Sequence, residues 1–256
     1  MTQPLLSLLA ALRFLTLLPF SWRAEEDGQY FAGGLFFFPL IGLGIGALCA
    51  LSAVLLGHFL PQTLVALAGI VMLAALSGCL HIDGLADTAD GLLSSRGRAE
   101  KLVIMRDSHI GAMGVVAIVF VMIGKYAALT SLASSLFLPA LLLMPIAGRC
   151  AIVLSMAILP YARPEGGLGK LFYSKNTARA AVVSVVSIIA VLGLSVAFHL
   201  CPWQNAVCLG VLLMGTVFLF AGWCRKSLGG ATGDTLGAIC ELAELMVAVA
   251  LNISLS

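Results

Sequence analysis

The sequence predicts an all-α protein: a polytopic integral membrane helix bundle with about seven transmembrane helices, preceded by an N-terminal amphipathic or re-entrant helix. Only 10% of the 256 residues are charged, 61% are hydrophobic, and the mean hydropathy is +1.10. A soluble domain carries roughly 25% charged residues, so this composition excludes a water-soluble globular protein. The net charge of +2 argues against nucleic acid as a partner, and the lipid bilayer is the expected surrounding.

The first apolar stretch, residues 4–20, is shorter than the later ones, contains Arg13 and ends just after Pro19. A bilayer-spanning helix needs about 20 apolar residues. We therefore predict that this stretch lies on the membrane surface as an amphipathic helix, or enters the membrane as a re-entrant segment, without crossing it.

Seven later apolar runs have the length of a transmembrane helix. No internal repeat and no low-complexity linker divides them, so residues 1–256 are expected to form a single integral membrane domain. The runs cover residues 33–57, 61–80, 111–133, 137–160, 180–200, 205–224 and 237–254.

Basic residues identify one side of the membrane, because positively charged loops are retained in the cytoplasm. Eleven of the fourteen lie in alternate connections, and the intervening connections contain none. We therefore predict that the long loops, among them 81–110, 161–179 and 225–236, face the cytoplasm and carry the catalytic residues. The eleven are Arg23, Arg96, Arg98, Lys101, Arg106, Arg163, Lys170, Lys175, Arg179, Arg225 and Lys226.

The twelve acidic residues lie on the same side. Glu241 and Glu244 fall just inside the last predicted span, and the other ten are in the predicted cytoplasmic connections. Polar chemistry concentrated on one side of the membrane predicts a site that acts on a cytoplasmic solute. The ten are Glu25, Glu26, Asp27, Asp83, Asp87, Asp90, Glu100, Asp107, Glu165 and Asp234.

Three aspartates in loop 81–110 have the spacing of a shared metal site. Asp83, Asp87 and Asp90 are separated by four and three residues, so a helix here would stack their carboxylates on one face. Carboxylates this close raise one another's pKa unless a cation lies among them, and oxygen-only ligands favour Mg²⁺ or Mn²⁺. Gly84 and Gly91 would each weaken this helix by about 1 kcal/mol, which favours close approach of a ligand or another backbone. The alternative is a solvated acidic loop.

A glycine-rich segment precedes the last predicted span. Its amides could hold a phosphate at the positive end of the following helix, where Asp234 and Glu241 could share one face. A plain turn at the membrane boundary is the alternative. The segment reads Gly229-Gly230-Ala231-Thr232-Gly233-Asp234.

Charges inside the predicted spans are functional candidates because they are unfavourable in lipid. Lys125 and Arg149 are two such charges, and pairing with Glu241 or Glu244 is the structural alternative for both. His81, at the start of the aspartate segment, is a candidate substrate contact or helix cap. Metal-binding acids together with a phosphate-binding loop indicate phosphoryl or nucleotidyl transfer.

These segments resemble the cobalamin synthase family, the adenosylcobinamide-GDP ribazoletransferases. The resemblance rests on residues 80–91, 105–114 and 229–241, and residues 13–19 agree with it, so that it extends over the whole chain. It implies a Mg²⁺-dependent enzyme of the bacterial inner membrane that acts late in vitamin B12 assembly. Such an enzyme joins α-ribazole, or its 5′-phosphate, to adenosylcobinamide-GDP and releases GMP.

The resemblance also implies roles for individual residues. Asp83, Asp87 and Asp90 would form the metal and pyrophosphate site, with His81 beside them and Asp107 as a further ligand or base. Gly233 and Asp234 would belong to a nucleotide-binding loop. Further substrate contacts are expected from Arg96, Arg106, Ser108, Lys125, Arg149, Gly229, Gly230, Thr232 and Glu241.

Two other functions are weighed against this one. A CDP-alcohol phosphotransferase of lipid synthesis would have the pattern D-x-x-D-G-x-x-A-R, which residues 87–91 begin and residues 93–95 break. An ion-coupled transporter would use the charges inside the spans as a midplane relay, but the acids cluster at one face and no repeat is evident. Whether the chain forms a homo-oligomer is left open.

Overall fold

In a computed structural model the protein is an all-α bundle, described over residues 3–19, 26–163 and 165–253. Within these residues the one β-type pairing is an isolated parallel bridge between Tyr161 and Ala231. Arg23, Glu25 and the ends of the predicted segments 4–20 and 237–254 lie outside the described residues. The helices are α1 (Gln3–Leu15), α2 (Asp27–Gly34), α3 (Phe38–Leu56), α4 (Gln62–Leu76), α5 (Leu80–Leu92), α6 (Arg98–Ile104), α7 (Ala112–Ser131), α8 (Ser134–Ile158), α9 (Thr177–Ala197), α10 (Trp203–Leu228) and α11 (Gly233–Leu251), with 3₁₀ turns over Leu35–Phe37 and Leu168–Phe172.

Five segments of the described chain are long and apolar enough to cross a membrane. They correspond to five of the seven predicted spans, and they confirm a polytopic helical membrane protein. The five are Asp27–Leu56, Ala112–Ser131, Ser134–Ile158, Thr177–Ala197 and Trp203–Leu228.

The predicted span 61–80 is wrong at its C-terminal boundary. The chain bends by 87° between α4 and α5, so a sixth span is counted only if this bent pair is taken as one broken helix. Gly78 and Cys79 both adopt left-handed backbone conformations, with φ of 59° and 57°, and they end the helix that the apolar run would otherwise continue. We place α5 outside the membrane-spanning segments, because it carries three aspartates in 13 residues.

The last predicted span coincides with α11, which has the length of a span but carries three carboxylates. It lies in the interior of the bundle, in contact with α5, α7, α8 and α10. Two of its carboxylates, Glu241 and Glu244, are buried and paired with cations from α7 and α8. An interior position therefore permits a charged sequence that a lipid-facing helix would not tolerate.

Helices α3 and α8 approach each other backbone to backbone. A Cβ atom placed on Gly42 would lie 2.6 Å from the carbonyl oxygen of Pro145, and one on Gly46 would collide with that of Leu142. Small residues at this spacing allow close helix packing in membranes. Helix α8 is almost entirely buried and forms the centre of the bundle.

Helix α1 has 13 residues and is about 20 Å long, too short for the ~30 Å hydrocarbon core. It packs on α2. Arg13 donates from Nε to Asp27 at 2.8 Å, and the two side chains form a largely buried ion pair between the helices. This arrangement agrees with the prediction of an N-terminal helix that does not cross the membrane.

Candidate active site at the polar end of the bundle

A cavity of about 260 Å³ lies where the first turns of α5, the connection between α8 and α9 and the N-terminus of α11 meet. Part of its lining is polar: Asp83 and Gly84 from α5, Asp234 and Gly237 from α11, and Arg163 from the connection after α8. The sequence predicted a site formed by these loops, and Asp83, His81, Gly233 and Asp234 are the predicted site residues that line the cavity.

The rest of the lining is mainly aromatic and aliphatic. Phe14, Phe38 and Phe172 contribute rings from α1, α3 and the second 3₁₀ turn, and Tyr161 lies near Arg163. Sequence reasoning missed this part of the site. Phe14 adjoins the predicted Arg13 in the sequence, but nothing local signals that Phe38 or Phe172 lies beside it.

The crossing of α5 and α11 brings the acidic residues together. A Cβ atom placed on Gly84 would lie 2.7 Å from the carbonyl oxygen of Asp234, and one on Gly237 would lie 3.2 Å from Cα of His81. The predicted helix over the aspartates is confirmed as α5, and so is the close approach of another backbone to Gly84. Asp83 and Asp234, far apart in the sequence, therefore share one cavity.

Asp234 is held at the N-terminus of α11 by two side chains. Arg163 Nη2 donates to its Oδ2 at 2.7 Å, and Thr232 Oγ1 donates to the same oxygen at 3.2 Å. Thr232 also caps the helix, accepting from the amide of Thr235 at 3.2 Å. Burial raises the pKa of Asp234, and the cation of Arg163 opposes that rise.

Arg163 itself is placed by backbone pairing between two of the connections. The amide of Ala162 donates to the carbonyl of Ala231 at 2.8 Å, and the amide of Ala231 donates to that of Pro160 at 2.8 Å. The two predicted loop glycines permit this pairing: Gly229 ends α10 with φ of 76°, and a Cβ atom on Gly230 would collide with Pro160. Their predicted contacts with substrate stay a prediction.

Asp87 lies one helical turn beyond Asp83 on the same face of α5. Burial raises its pKa to about 7, and the negative charges of Asp234, Asp83 and Asp90 add to the rise, while Arg163 opposes it. This mutual repulsion among carboxylates is the effect that a bound cation would relieve.

Asp90, the third residue of the predicted cluster, makes different contacts. Its Oδ2 accepts from the amide of Gly111 at 2.7 Å, and its Oδ1 accepts from the amide of Gly114 at 2.9 Å. These amides are at the N-terminus of α7, which Asp90 therefore caps from a neighbouring helix. The neighbouring carboxylate whose charge acts most strongly on Asp87 is instead that of Asp234.

The described side chains contain no group of three or more His, Cys, Asp or Glu residues that could by themselves hold a metal ion. The donor chemistry nevertheless fits Mg²⁺, because Asp83, Asp87 and Asp234 offer hard oxygen ligands with excess negative charge. Proteins commonly bind Mg²⁺ through one or two carboxylates, with water and substrate phosphates completing the shell. An open arrangement of this kind is what the cavity provides.

Four predicted residues in the α5–α7 connection are exposed and are not among the residues that line the cavity in the described part of the chain: Arg96, Arg106, Asp107 and Ser108. Arg106 forms an ion pair with Glu165. Asp107 accepts from the amide and the ring of His109, and these hydrogen bonds lower its pKa. The predicted roles, substrate binding for Arg96, Arg106 and Ser108 and ligand or base for Asp107, stay predictions.

The charges predicted inside the spans form a buried, electrically balanced cluster. Lys125 Nζ donates to Glu241 and to Glu244, each at 2.7 Å, and Arg149 Nη1 donates to Glu244 at 2.5 Å. All four side chains are at most 5% exposed, and none of them lines the described cavity. The structural alternative of pairing is confirmed, and this pairing ties α7 and α8 to α11.

The fold and the cavity together define a polytopic α-helical membrane protein with an acidic, glycine-lined site at one end of its bundle. Comparison with known proteins identifies its family. The chain belongs to the cobalamin-5-phosphate synthase family, which it matches over residues 7–252.

Its relatives include proteins named adenosylcobinamide-GDP ribazoletransferase from several bacteria. The protein from Syntrophobacter fumaroxidans is 42% identical over 240 residues, covering 93% of this chain and 94% of the relative. The protein from Citrobacter koseri is 39% identical, with 94% and 97% covered, and that from Thermoanaerobacter sp. is 35% identical, with 93% of each covered. No solved structure matches the chain.

Proposed function

We propose that this protein transfers α-ribazole, or its 5′-phosphate, to adenosylcobinamide-GDP with release of GMP, which forms adenosylcobalamin or its 5′-phosphate. The names of its relatives support this activity. The structural observation that carries it is the α5–α11 crossing, which groups Asp83, Asp87 and Asp234 beside Arg163.

The reaction is a phosphoryl-type transfer in which one phosphorus–oxygen bond forms and one breaks. A ribose hydroxyl of the ribazole attacks the phosphorus bonded to cobinamide, the bond from that phosphorus to the oxygen of GMP breaks, and GMP leaves. The hydroxyl proton passes to a carboxylate of the cavity. Arg163, fixed by Asp234 and by the carbonyl of Met105, is positioned to neutralise phosphate charge.

We extend the proposal to Mg²⁺ as the cofactor, held by Asp83, Asp87 and Asp234. Asp90, which the sequence predicted as the third metal ligand, is assigned instead to capping α7. Bound there, the ion would neutralise the oxygens of the substrate pyrophosphate. Burial and, after it, the charges of neighbouring carboxylates raise the pKa of Asp87, and this concentration of negative charge supports a cation at this position.

We further propose that the protein lies in the bacterial inner membrane with its cavity on the cytoplasmic side. Basic residues are concentrated in the connections at the polar end of the bundle, where the cavity lies, and such residues are retained in the cytoplasm.

Neither alternative function is favoured. A CDP-alcohol phosphotransferase is not the family that the chain matches. A transporter would need its intramembrane charges to face a path for ions, whereas Lys125, Arg149, Glu241 and Glu244 are buried and paired with one another.

The decisive experiment uses the purified protein in detergent or liposomes with adenosylcobinamide-GDP, Mg²⁺ and either α-ribazole or its 5′-phosphate. Formation of GMP and the corresponding cobalamin in equal amounts is expected, and it is expected to stop when EDTA removes the metal. If a folded, membrane-inserted preparation forms no product with α-ribazole and none with its 5′-phosphate, the proposal is overturned. Turnover that is unchanged in EDTA would contradict only the proposed requirement for Mg²⁺.

A further inference from the structure

We infer that Phe14, Phe38 and Phe172, here called the aromatic wall, form the subsite for the planar base of the ribazole nucleoside. This inference rests on the proposed function and deepens it, because it assigns one part of one substrate to one part of the cavity.

The aromatic wall is built from three separate elements. The Phe172 ring lies at its centre, with its centroid 4.7 Å from that of Phe14 and 5.6 Å from that of Phe38. Phe38 and Phe172 are 1% and 2% exposed, and Phe14 is partly buried. Phe31 packs against the group, 4.7 Å from Phe172 and 5.8 Å from Phe14, but is not among the described residues that line the cavity.

The chemistry of this wall suits an aromatic ring with few polar atoms. Aromatic rings attract one another in tilted and edge-to-face arrangements beyond the effect of buried area alone. Ile152 and Met156 extend the same apolar lining. A polar atom placed here would lose its hydrogen bonds to water and gain none in return.

Of the two bases in the reaction, the benzimidazole of ribazole fits this surface better than guanine does. A benzimidazole riboside has one free ring nitrogen, and its ring edges are otherwise apolar. Guanine carries several hydrogen-bond donors and acceptors on its edges, and the aromatic wall would leave them unpaired.

The size and the polarity of the cavity agree with this assignment. Its volume of about 260 Å³ is just below the ~300 Å³ at which pockets for whole drug-sized ligands begin, so it can hold a nucleoside but not a corrinoid ring. Asp83 and Asp234 line the same cavity. A nucleoside with its base on the aromatic wall would therefore place its ribose hydroxyls, one of which is the nucleophile, near carboxylates.

The inference gives the N-terminal helix a function. Phe14 reaches the cavity because α1 packs on α2, and the ion pair between Arg13 and Asp27 fixes these helices next to the ring. Helix α1 would then be part of the nucleoside subsite as well as a helix at the membrane boundary.

The test compares Phe14→Leu with Phe31→Leu, because both substitutions remove one ring from the same aromatic cluster but only Phe14 lines the cavity. KM for α-ribazole, KM for adenosylcobinamide-GDP and the melting temperature are measured for each. We expect Phe14→Leu to raise KM for α-ribazole about tenfold, the size of one lost aromatic contact. KM for adenosylcobinamide-GDP should stay within about twofold of wild type for both variants.

Three results would overturn the inference. An unchanged KM for α-ribazole in Phe14→Leu would do so, as would an equal rise in Phe31→Leu, which would mean that the cluster acts only through packing. A rise in KM for adenosylcobinamide-GDP alone would assign the aromatic wall to guanine. These three comparisons of KM are made only if the wild-type protein forms cobalamin. A failure of the proposed function would therefore appear in the wild-type assay, before any variant is measured.

A nucleoside series provides a second measurement on the unmodified protein. The riboside of unsubstituted benzimidazole and the riboside of purine differ mainly in the number of polar ring atoms. We expect the purine riboside to have the lower kcat/KM, since its additional nitrogens would lie against the apolar lining of the cavity without hydrogen-bond partners. Equal kcat/KM values would contradict an apolar base subsite.

Discussion

The aspartates of α5 differ in what their oxygens contact. Asp90 is hydrogen-bonded to two backbone amides of α7, whereas Asp83 lines the cavity and Asp87 is crowded by neighbouring carboxylates. Spacings of four and three residues along a helix predict a shared face but not the surroundings of each side chain. The structure therefore separates residues that the sequence treated as one group.

Replacing an aspartate of the proposed metal site by asparagine removes its charge while keeping its size. We expect Asp83→Asn, Asp87→Asn and Asp234→Asn each to lower the rate of GMP release by about 10² or more, since each loses a group that stabilises or deprotonates a reacting centre. The melting temperature should change little for Asp83→Asn. Glu100→Gln, at an exposed position between α5 and α7, is the control and should keep near-wild-type turnover. Near-wild-type rates in all three variants would rule out this site.

Asp90→Ala should act mainly on stability. It removes the acceptor for the amides of Gly111 and Gly114, and the loss of such a cap costs about 1–2 kcal/mol. We expect a lower melting temperature than for Asp83→Ala, with a smaller loss of turnover in the material that stays folded. The reverse pattern, lost turnover at an unchanged melting temperature, would restore Asp90 to the metal site that the sequence predicted.

At the scale of the helices, the crossing of α5 and α11 sets the geometry of the site. Gly84→Ala should disturb it, because the new Cβ atom would meet the backbone of Asp234, which cannot move without displacing α11. We expect at least tenfold lower turnover together with a lower melting temperature. Gly222→Ala in α10 is the matched control: nothing lies within 4 Å of its Cβ position, and alanine favours the helix. Equal behaviour of the two variants would show that the crossing tolerates expansion.

The elements that the sequence predicted well are those encoded locally. The long apolar runs predicted the spans, because the length of a run decides whether it can cross lipid. Gly84, within the aspartate segment, indicated the close approach of another backbone, but it did not identify Asp234 as the residue that approaches. The bend before α5 was missed because it depends on Cys79, a residue that rarely adopts its left-handed conformation. The rings of Phe14, Phe38 and Phe172 meet only through tertiary packing, which no short segment encodes.

At the scale of the whole molecule, the buried ion cluster joins three helices across the bundle. Lys125→Met should be strongly destabilising, by about 3–5 kcal/mol, because it leaves Glu241 buried without its cation. The double variant Lys125→Met with Glu241→Leu leaves Arg149 paired with Glu244 and should recover part of that loss. The melting temperatures of Lys125→Met, Glu241→Leu and the double variant measure the coupling between Lys125 and Glu241. Additive effects would mean that the cluster does not act as a unit.

The orientation of the molecule can be tested with cysteines at its two ends. Helix α3 leads from Phe38, which lines the cavity, to the connection that contains Phe59, so Phe59, 85% exposed, lies at the opposite end of the bundle. Arg96 follows α5, whose first turns line the cavity, and lies at the cavity end. In a Cys79→Ser background, which removes an exposed native thiol, a membrane-impermeant maleimide should label Phe59→Cys in intact spheroplasts. It should label Arg96→Cys only after the membrane is broken. The opposite labelling would place the carboxylates on the outer face, where a cytoplasmic nucleotide-linked substrate could not reach them, and would contradict the proposed function without altering the fold.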